Sequence, residues 1–290
     1  MFSTTGEVKT GEVVLHYSVS GQGRAILLLS GGPGFSGDYL LPVAHELSKA
    51  CRCIILDQRG TGKSRQSEPD ASTINLRTAV EDIETLRNHL KAEELILFGH
   101  SWGGVLAMSY TAAYPARAEA LMLVGSGGPN DYPDKSVGAR IRARLLPSDL
   151  DALAYWTESA RVAANPERAA NEHFRAALPA YVFDRGSVLK IIETMGQTPF
   201  NPKVYQLMTQ DLDRIKYDLR PSLEDFKQPV LIVQGREDVV GESTARRINQ
   251  TLSNSRLEFI EECGHFPWVE QPRQFFAIVD SFLSELPVAK

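Results

Sequence analysis

Short, near-continuous apolar runs recur along this chain: Ala25 to Leu29, Cys51 to Leu56, Leu95 to Phe98, Ala118 to Val124 and Pro229 to Gln234. Each is too short for a buried helix and lacks the alternation of a strand with one wet face. Between them lie stretches with helical spacing, such as Leu76, Ala79, Val80, Ile83, Leu86 and Leu90. Strands buried on both faces that alternate with amphipathic helices build a parallel sheet with helices on both sides. Such a sheet places its chemistry in loops at the carboxyl ends of its strands.

The remaining segments extend this frame. Glu12 to Ser18 alternates as a strand and ends at the turn Gly21-Gln22-Gly23. A helix is expected from Asp38 to Lys49, another from Glu242 to Leu252, and a strand from Arg256 to Ile260. Pro272 opens a last helix that buries Phe275, Phe276, Val279, Phe282 and Leu283. From Gly127 to about Asp225 the strand signal stops, and prolines at 129, 133, 147, 166, 179, 199, 202 and 221 cut the chain into short pieces. Ser148 with Asp151 suits a capping box, and Asn165-Pro166 suits an N-cap followed by the first helical residue. This region is expected to be a helical insertion.

With 290 residues the chain can form one large α/β domain carrying that insertion. Its net charge of -5 offers no basic surface for nucleic acid, so the expected partner is a small molecule or a short peptide. The start, Met1-Phe2-Ser3-Thr4-Thr5-Gly6-Glu7, has neither the basic nor the apolar part of a signal peptide, and no apolar run reaches membrane-spanning length. The expected location is cytoplasmic, with no membrane partner. Cys51, Cys53 and Cys263 lack metal-ligand or C-x-x-C spacing and are read as buried thiols. Oligomeric state leaves no mark on the sequence.

The run ending at Phe98 breaks into Gly99-His100-Ser101-Trp102-Gly103-Gly104 and resumes as a helix with Val105, Leu106, Met108 and Tyr110. Strand, sharp turn and helix would hold Ser101 at the tip, with glycines where chain passes close to chain. A serine nucleophile needs a base. Among His16, His45, His89, His100, His173 and His265, only His265 follows the last strand, in Glu261-Glu262-Cys263-Gly264-His265-Phe266-Pro267-Trp268, at the edge where Ser101 emerges. His100 adjoins the serine but is poorly directed toward its hydroxyl, and His89 is read as solvated.

The imidazole in turn needs a carboxylate. Glu237 and Asp238 follow the strand ending at Gln234, and either could serve; Asp238 is preferred and Glu237 read as solvated. The previous strand ends in Gly125-Ser126-Gly127-Gly128, which offers no acid. Acyl transfer also needs donors for the oxyanion. The Trp102 amide is one, and the glycine loop after Leu29 supplies a second through Gly32.

Two phosphate-loop look-alikes are set aside. Gly32-Pro33-Gly34-Phe35-Ser36-Gly37 has dinucleotide spacing relative to Asp57, but Pro33 removes a donor from the turn that should hold pyrophosphate. Gly60-Thr61-Gly62-Lys63-Ser64 lacks the first P-loop glycine, because Asp57 stands there. Asp57 and Arg59 are instead expected to form a loop-fixing ion pair. No cofactor or metal is implied.

Taken together, Gly31-Gly32-Pro33-Gly34, Asp57-Gln58-Arg59-Gly60-Thr61-Gly62-Lys63-Ser64 and Gly99-His100-Ser101-Trp102-Gly103-Gly104 make the chain resemble an α/β-hydrolase, and within that fold the proline iminopeptidase group of serine peptidases. The order Ser101, Asp238, His265 agrees with it. The resemblance implies a mostly parallel eight-stranded sheet with helices on both faces and a helical cap inserted after strand 6. The core would comprise residues 1–128 and 226–290, and the cap residues 129–225. The implied reaction, through an acyl-enzyme, is release of an N-terminal residue from short peptides. The alternative is a carboxylesterase, lactonase or C-C bond hydrolase acting on a small non-peptide substrate.

Gly31, Glu193 and Trp268 are candidates for binding substrate, with Asp211 and Asp213 as further acids near Glu193. The sequence departs from the iminopeptidase pattern at Ser30, where histidine is usual, and at Val239, where some members carry a glutamate for the substrate amine.

Overall fold

The structure is a computed structural model that describes residues 4–65, 68–132, 134–196 and 199–287. Pro133, one of the expected breaks, lies outside the described residues, as do Met1 to Ser3 and the last three positions. Strands and helices begin as β1 (Thr4–Thr10), β2 (Val13–Ser20), β3 (Ala25–Leu29), α1 (Leu41–Leu47), β4 (Arg52–Leu56), α2 (Leu76–His89), β5 (Leu95–His100), α3 (Trp102–Ala113) and β6 (Ala118–Val124). Next come α4 (Val137–Arg144), α5 (Pro147–Thr157), α6 (Ser159–Ala164), α7 (Pro166–Ala177), α8 (Val188–Thr194), α9 (Pro202–Ile215) and α10 (Arg220–Leu223). The chain closes with β7 (Val230–Gly235), α11 (Glu242–Thr251), β8 (Ser255–Ile260), α12 (Pro267–Glu270) and α13 (Pro272–Glu285).

Eight strands form one sheet in the order β1-β2-β4-β3-β5-β6-β7-β8. β2 runs antiparallel to both neighbours, and from β4 to β8 every pairing is parallel. The eighth strand is β1, whose sequence reads as polar and in which only Val8 is buried. Its backbone pairs with β2 from Thr4 to Thr10 at the sheet edge, so the ladder holds it rather than side-chain burial.

The run Leu95 to Phe98 explains the core. Leu95 and Leu97 join the cluster that includes Val80 and Ile83 of α2 and Leu106 of α3; Ile96 and Phe98 face the opposite cluster, with Val43 of α1 and Phe275 of α13. Alternate side chains of a strand point to opposite faces, so a strand covered on both must be apolar throughout. α3 buries Trp102, Val105, Leu106, Ala107, Met108 and Tyr110, which leaves it no polar face. After β3 the chain steps outward to β4 and then returns to pair β5 against β3. The loops after β3 and β5 therefore diverge at a topological switch point, where open α/β sheets form their crevice.

Between β6 and β7 the described residues hold helices and no strand, as the proline pattern predicts. Asn165 caps α7 by accepting from the Arg168 amide at 2.9 Å, with Pro166 as first helical residue. The cap of α5 falls elsewhere than at Ser148. Leu146 is the N-cap residue, Pro147 begins the helix, and the Leu146 amide donates to Asp149 Oδ2 at 2.9 Å.

Arg59 does not pair with Asp57. It forms a two-pronged pair with Asp82 of α2, with Nε donating to Oδ2 at 2.9 Å, while Asp57 accepts from the amides of Gly37 and Lys63 at 3.3 and 2.9 Å. Asp57 thus stitches its own loop to the glycine loop. His89 is exposed, as expected, and its Nε2 also lies 3.0 Å from the Tyr17 hydroxyl of β2. Among the described residues no helix is long and apolar enough to cross a membrane.

Candidate active site

Ser101 stands between the last residue of β5 and the first of α3, with φ 55° and ψ -117°. A non-glycine residue at positive φ is strained and persists only where its surroundings fix it. Here the Ser101 amide donates to Val124 O at 3.0 Å, and its carbonyl accepts from the Gly104 and Gly127 amides, both at 3.1 Å. The glycines permit the contact: a Cβ on Gly103 would sit 2.0 Å from Leu29 O, and one on Gly99 would sit 2.5 Å from the Gly104 Cα. Trp102 is the first helical residue, so its amide is among those with no partner inside the helix.

The two acids after β7 separate cleanly. Asp238 is buried, and its Oδ2 lies 2.9 Å from His265 Nδ1; its Oδ1 accepts from the Val240 amide at 2.9 Å. Glu237 is not merely solvated. Its amide donates to Cys263 O at 3.0 Å and its Oε2 accepts from Cys263 N at 2.9 Å, which fixes the loop that carries His265. With Asp238 holding the proton on Nδ1, the unprotonated nitrogen of a neutral His265 is Nε2. Gly125, at φ +50, leaves the space: a Cβ there would lie 2.9 Å from both Asp238 Oδ2 and His265 Nδ1.

His100 does not serve the serine hydroxyl. It joins the glycine loop to the histidine loop through a buried chain of hydrogen bonds. The Gly31 amide donates to the Tyr39 hydroxyl at 2.5 Å, that hydroxyl lies 2.8 Å from His100 Nδ1, and His100 Nε2 lies 2.9 Å from His265 O. Because the His265 carbonyl can only accept, Nε2 of a neutral His100 carries the proton and donates to it, and Nδ1 accepts from the Tyr39 hydroxyl. Burial, then the neighbouring His265, pushes the His100 imidazole well below its ordinary 6.5, consistent with this neutral form. Since Tyr39 occupies the Gly31 amide, Gly32 is the glycine of this pair whose amide is left to a ligand.

Ser30 belongs to a second chain. Trp102 Nε1 donates to Gln58 Oε1 at 2.9 Å, Gln58 Nε2 donates to Ser30 O at 2.8 Å, and Ser30 Oγ donates to Phe35 O at 2.9 Å. This chain fixes the glycine loop from its far side.

Ser101, His265, Gly31 and Gly32 open onto a cavity of about 600 Å³ between the sheet edge and α4, α5, α7 and α9. Phe35, Phe174, Tyr181 and Phe200 line it together with Leu150, Leu153 and Ala154 of α5. Among the described residues that line it there is no aspartate or glutamate. Glu193 is exposed on α8 away from the lining, Asp213 is exposed on α9, and Asp211 is spent on the Leu76 amide at 2.9 Å and on Arg214. A smaller adjoining hollow holds Glu167 and Glu172, already paired with Arg65 and Arg175. Trp268 is buried behind the site, its ring centroid 4.8 Å from that of His100, rather than in the lining. Among the described residues, no group of three or more histidine, cysteine, aspartate or glutamate side chains is placed to hold a metal ion.

Residues 24–272 match the family model described as alpha/beta hydrolase fold. The chain belongs to that family. This hydrolase is 27% identical over 279 residues to the proline iminopeptidase of Saccharolobus solfataricus, covering 93% of the chain and 88% of the relative. By structure it is similar to VinJ, with a TM-score of 0.78, 23% identity, and 99% and 100% of the two chains covered. It is also similar to Est816, described as an N-acyl homoserine lactone degrading enzyme, with a TM-score of 0.71, 20% identity, and 96% and 100% covered. These two structural likenesses concern the fold.

Several residues that shape the site in this hydrolase escape a reading of its sequence. Glu270 accepts from the Gly264 amide at 3.0 Å and from the Phe183 amide at 2.7 Å, and burial raises its carboxyl above the usual range. The His265 amide donates to Tyr181 O at 2.7 Å. Tyr39 and Gln58 likewise contribute side chains to loops they do not adjoin in sequence. Only Gln58 carried a signal, since it lies in the Asp57 to Ser64 motif.

Proposed function

We propose that this chain is a serine hydrolase working through an acyl-enzyme, with Ser101 as nucleophile, His265 as base and Asp238 as its partner. The buried His265–Asp238 pair beside a serine held at positive φ supports this reading. Ser101 Oγ attacks the substrate carbonyl while its proton passes to His265 Nε2, and the amides of Gly32 and Trp102 receive the oxyanion. The imidazolium gives that proton to the leaving group. Water, deprotonated by the same nitrogen, then releases the acid and restores the serine. Residues 129–225 act as a cap that supplies the distal walls of the acyl pocket.

The observation that carries the substrate class is the absence of a carboxylate from the described cavity lining. A peptide's free ammonium drawn from water needs a paired anion, and the nearby acids are exposed or engaged elsewhere. The cavity therefore favours a small ester or lactone over an amino-terminal peptide. A second reading, proline iminopeptidase action, is favoured by the names of relatives at about this level of identity. Parallel assays with L-proline arylamide and a short aryl ester decide: turnover of the ester alone is expected, and efficient turnover of the arylamide would restore the peptidase reading. Ser101→Ala and His265→Ala should each abolish turnover with the fold intact, and near wild-type rates in either would refute the assignment.

A further inference from the structure

Among the described residues that line the cavity, one carries a fixed formal charge. α4 carries arginines at 140, 142 and 144. Arg140 is held by Asp134 at 2.8 Å and by Val240 O at 2.9 Å, and Arg144 donates to Val182 O at 3.2 Å. Arg142 is exposed and lines the cavity, and no hydrogen bond or ion pair to another described residue holds its side chain. It shares the wall with Leu150, Leu153 and His173. Burial, followed by the Arg142 charge, holds the His173 imidazole below its ordinary 6.5, so at neutral pH the cation there is Arg142 alone. Two neighbours are anchored, and the third is an exposed guanidinium on the wall of a cavity whose described lining holds no acid, so it is free to pair with an anionic ligand. A guanidinium takes a carboxylate through two parallel hydrogen bonds, and its weak hydration eases the exchange of water for ligand.

We infer that Arg142 binds a carboxylate at the distal end of the acyl chain, so that the substrates are monoesters or lactones derived from dicarboxylic acids. This rests on the hydrolase reading above for the reaction, but not for the binding. The test compares aryl half-esters of adipic, suberic and sebacic acids with aryl esters of neutral acids of matched length at low ionic strength. The wild-type chain is expected to prefer the best half-ester by about tenfold or more in kcat/KM. Arg142→Gln should bring that ratio close to one, and Arg142→Lys should restore part of it.

A wild-type ratio near one, or a ratio unchanged in Arg142→Gln, overturns the inference. Suberate binding by calorimetry to wild type and Arg142→Gln tests it independently of turnover. A loss of about tenfold in affinity supports the inference, and equal affinity overturns it. If instead no ester is turned over and a fluorophosphonate fails to label Ser101, it is the hydrolase reading that fails, while the suberate result still decides the role of Arg142.

Discussion

Replacing Tyr39 by phenylalanine removes one oxygen and leaves the ring among Phe35, His100, Phe266 and Trp268. The lost oxygen accepts from the Gly31 amide at 2.5 Å and bonds His100 Nδ1 at 2.8 Å. Both partners would be left unsatisfied in a buried place, at about 1–3 kcal/mol each. Together this predicts a loss of about 2–6 kcal/mol, toward the lower end because Gly31 borders the cavity and can borrow water. Urea unfolding at constant m measures it. A further removal, His100→Phe, takes away the orphaned acceptor, so the double variant should lose less than the sum of the singles. The coupling should be at least about 0.5 kcal/mol. Independent effects in that cycle, or a Tyr39→Phe loss below about 0.5 kcal/mol, would refute the proposed chain from Gly31 to His265.

Other consequences are as direct. Gly103→Ala would place a Cβ 2.0 Å from the Leu29 carbonyl and should cost about 3 kcal/mol or more, against the usual gain for alanine within a helix; thermal unfolding gives the sign. Arg87 and Tyr110 hold the Glu84 carboxyl down at about 2, so its share of stability is present above about pH 4.5 and drains as pH falls toward 2. Glu84→Gln should therefore flatten the acid side of the stability profile in that window. Cys51, Cys53 and Cys263 are buried and free, and burial pushes the Cys53 thiol up to about 12. An aromatic disulfide reagent should label none quickly in the folded chain and all three on unfolding, and fast labelling of native protein would refute that burial.

The sheet was legible because its strands are covered on both faces, which forces continuous apolar runs that polar loops cannot mimic. β1 escaped for the converse reason: an edge strand held by backbone bonds needs few apolar side chains, and only Val8 marks it. Ser101, Asp238 and His265 could be proposed because each lies within five residues of the carboxyl end of a strand, so sequence order translates into place. The partners that tune them could not. Arg59 reaches Asp82 on α2, Tyr39 reaches Gly31 and His100, and Glu237 binds back to Cys263, contacts set by tertiary packing. In the helical segment, periodicity marks helices but not which face meets the cavity. Arg142 was therefore invisible, and Glu193 was a candidate by proximity alone.

The loop bearing His265 also limits how such a chain can be recombined. Tyr181 O receives the His265 amide, Glu270 clasps the amides of Phe183 and Gly264, and a Cβ on Gly264 would lie 2.2 Å from Tyr181 O. Residues 181–183 are thus riveted to the base loop, although they lie within the helical segment between β6 and β7. A chimera that exchanges that whole segment would cut through those rivets. One that exchanges α4 to α7 and keeps residues 178–183 with the sheet would leave them whole. The boundary for swapping specificity runs through the helices and not along the seam where they leave the sheet.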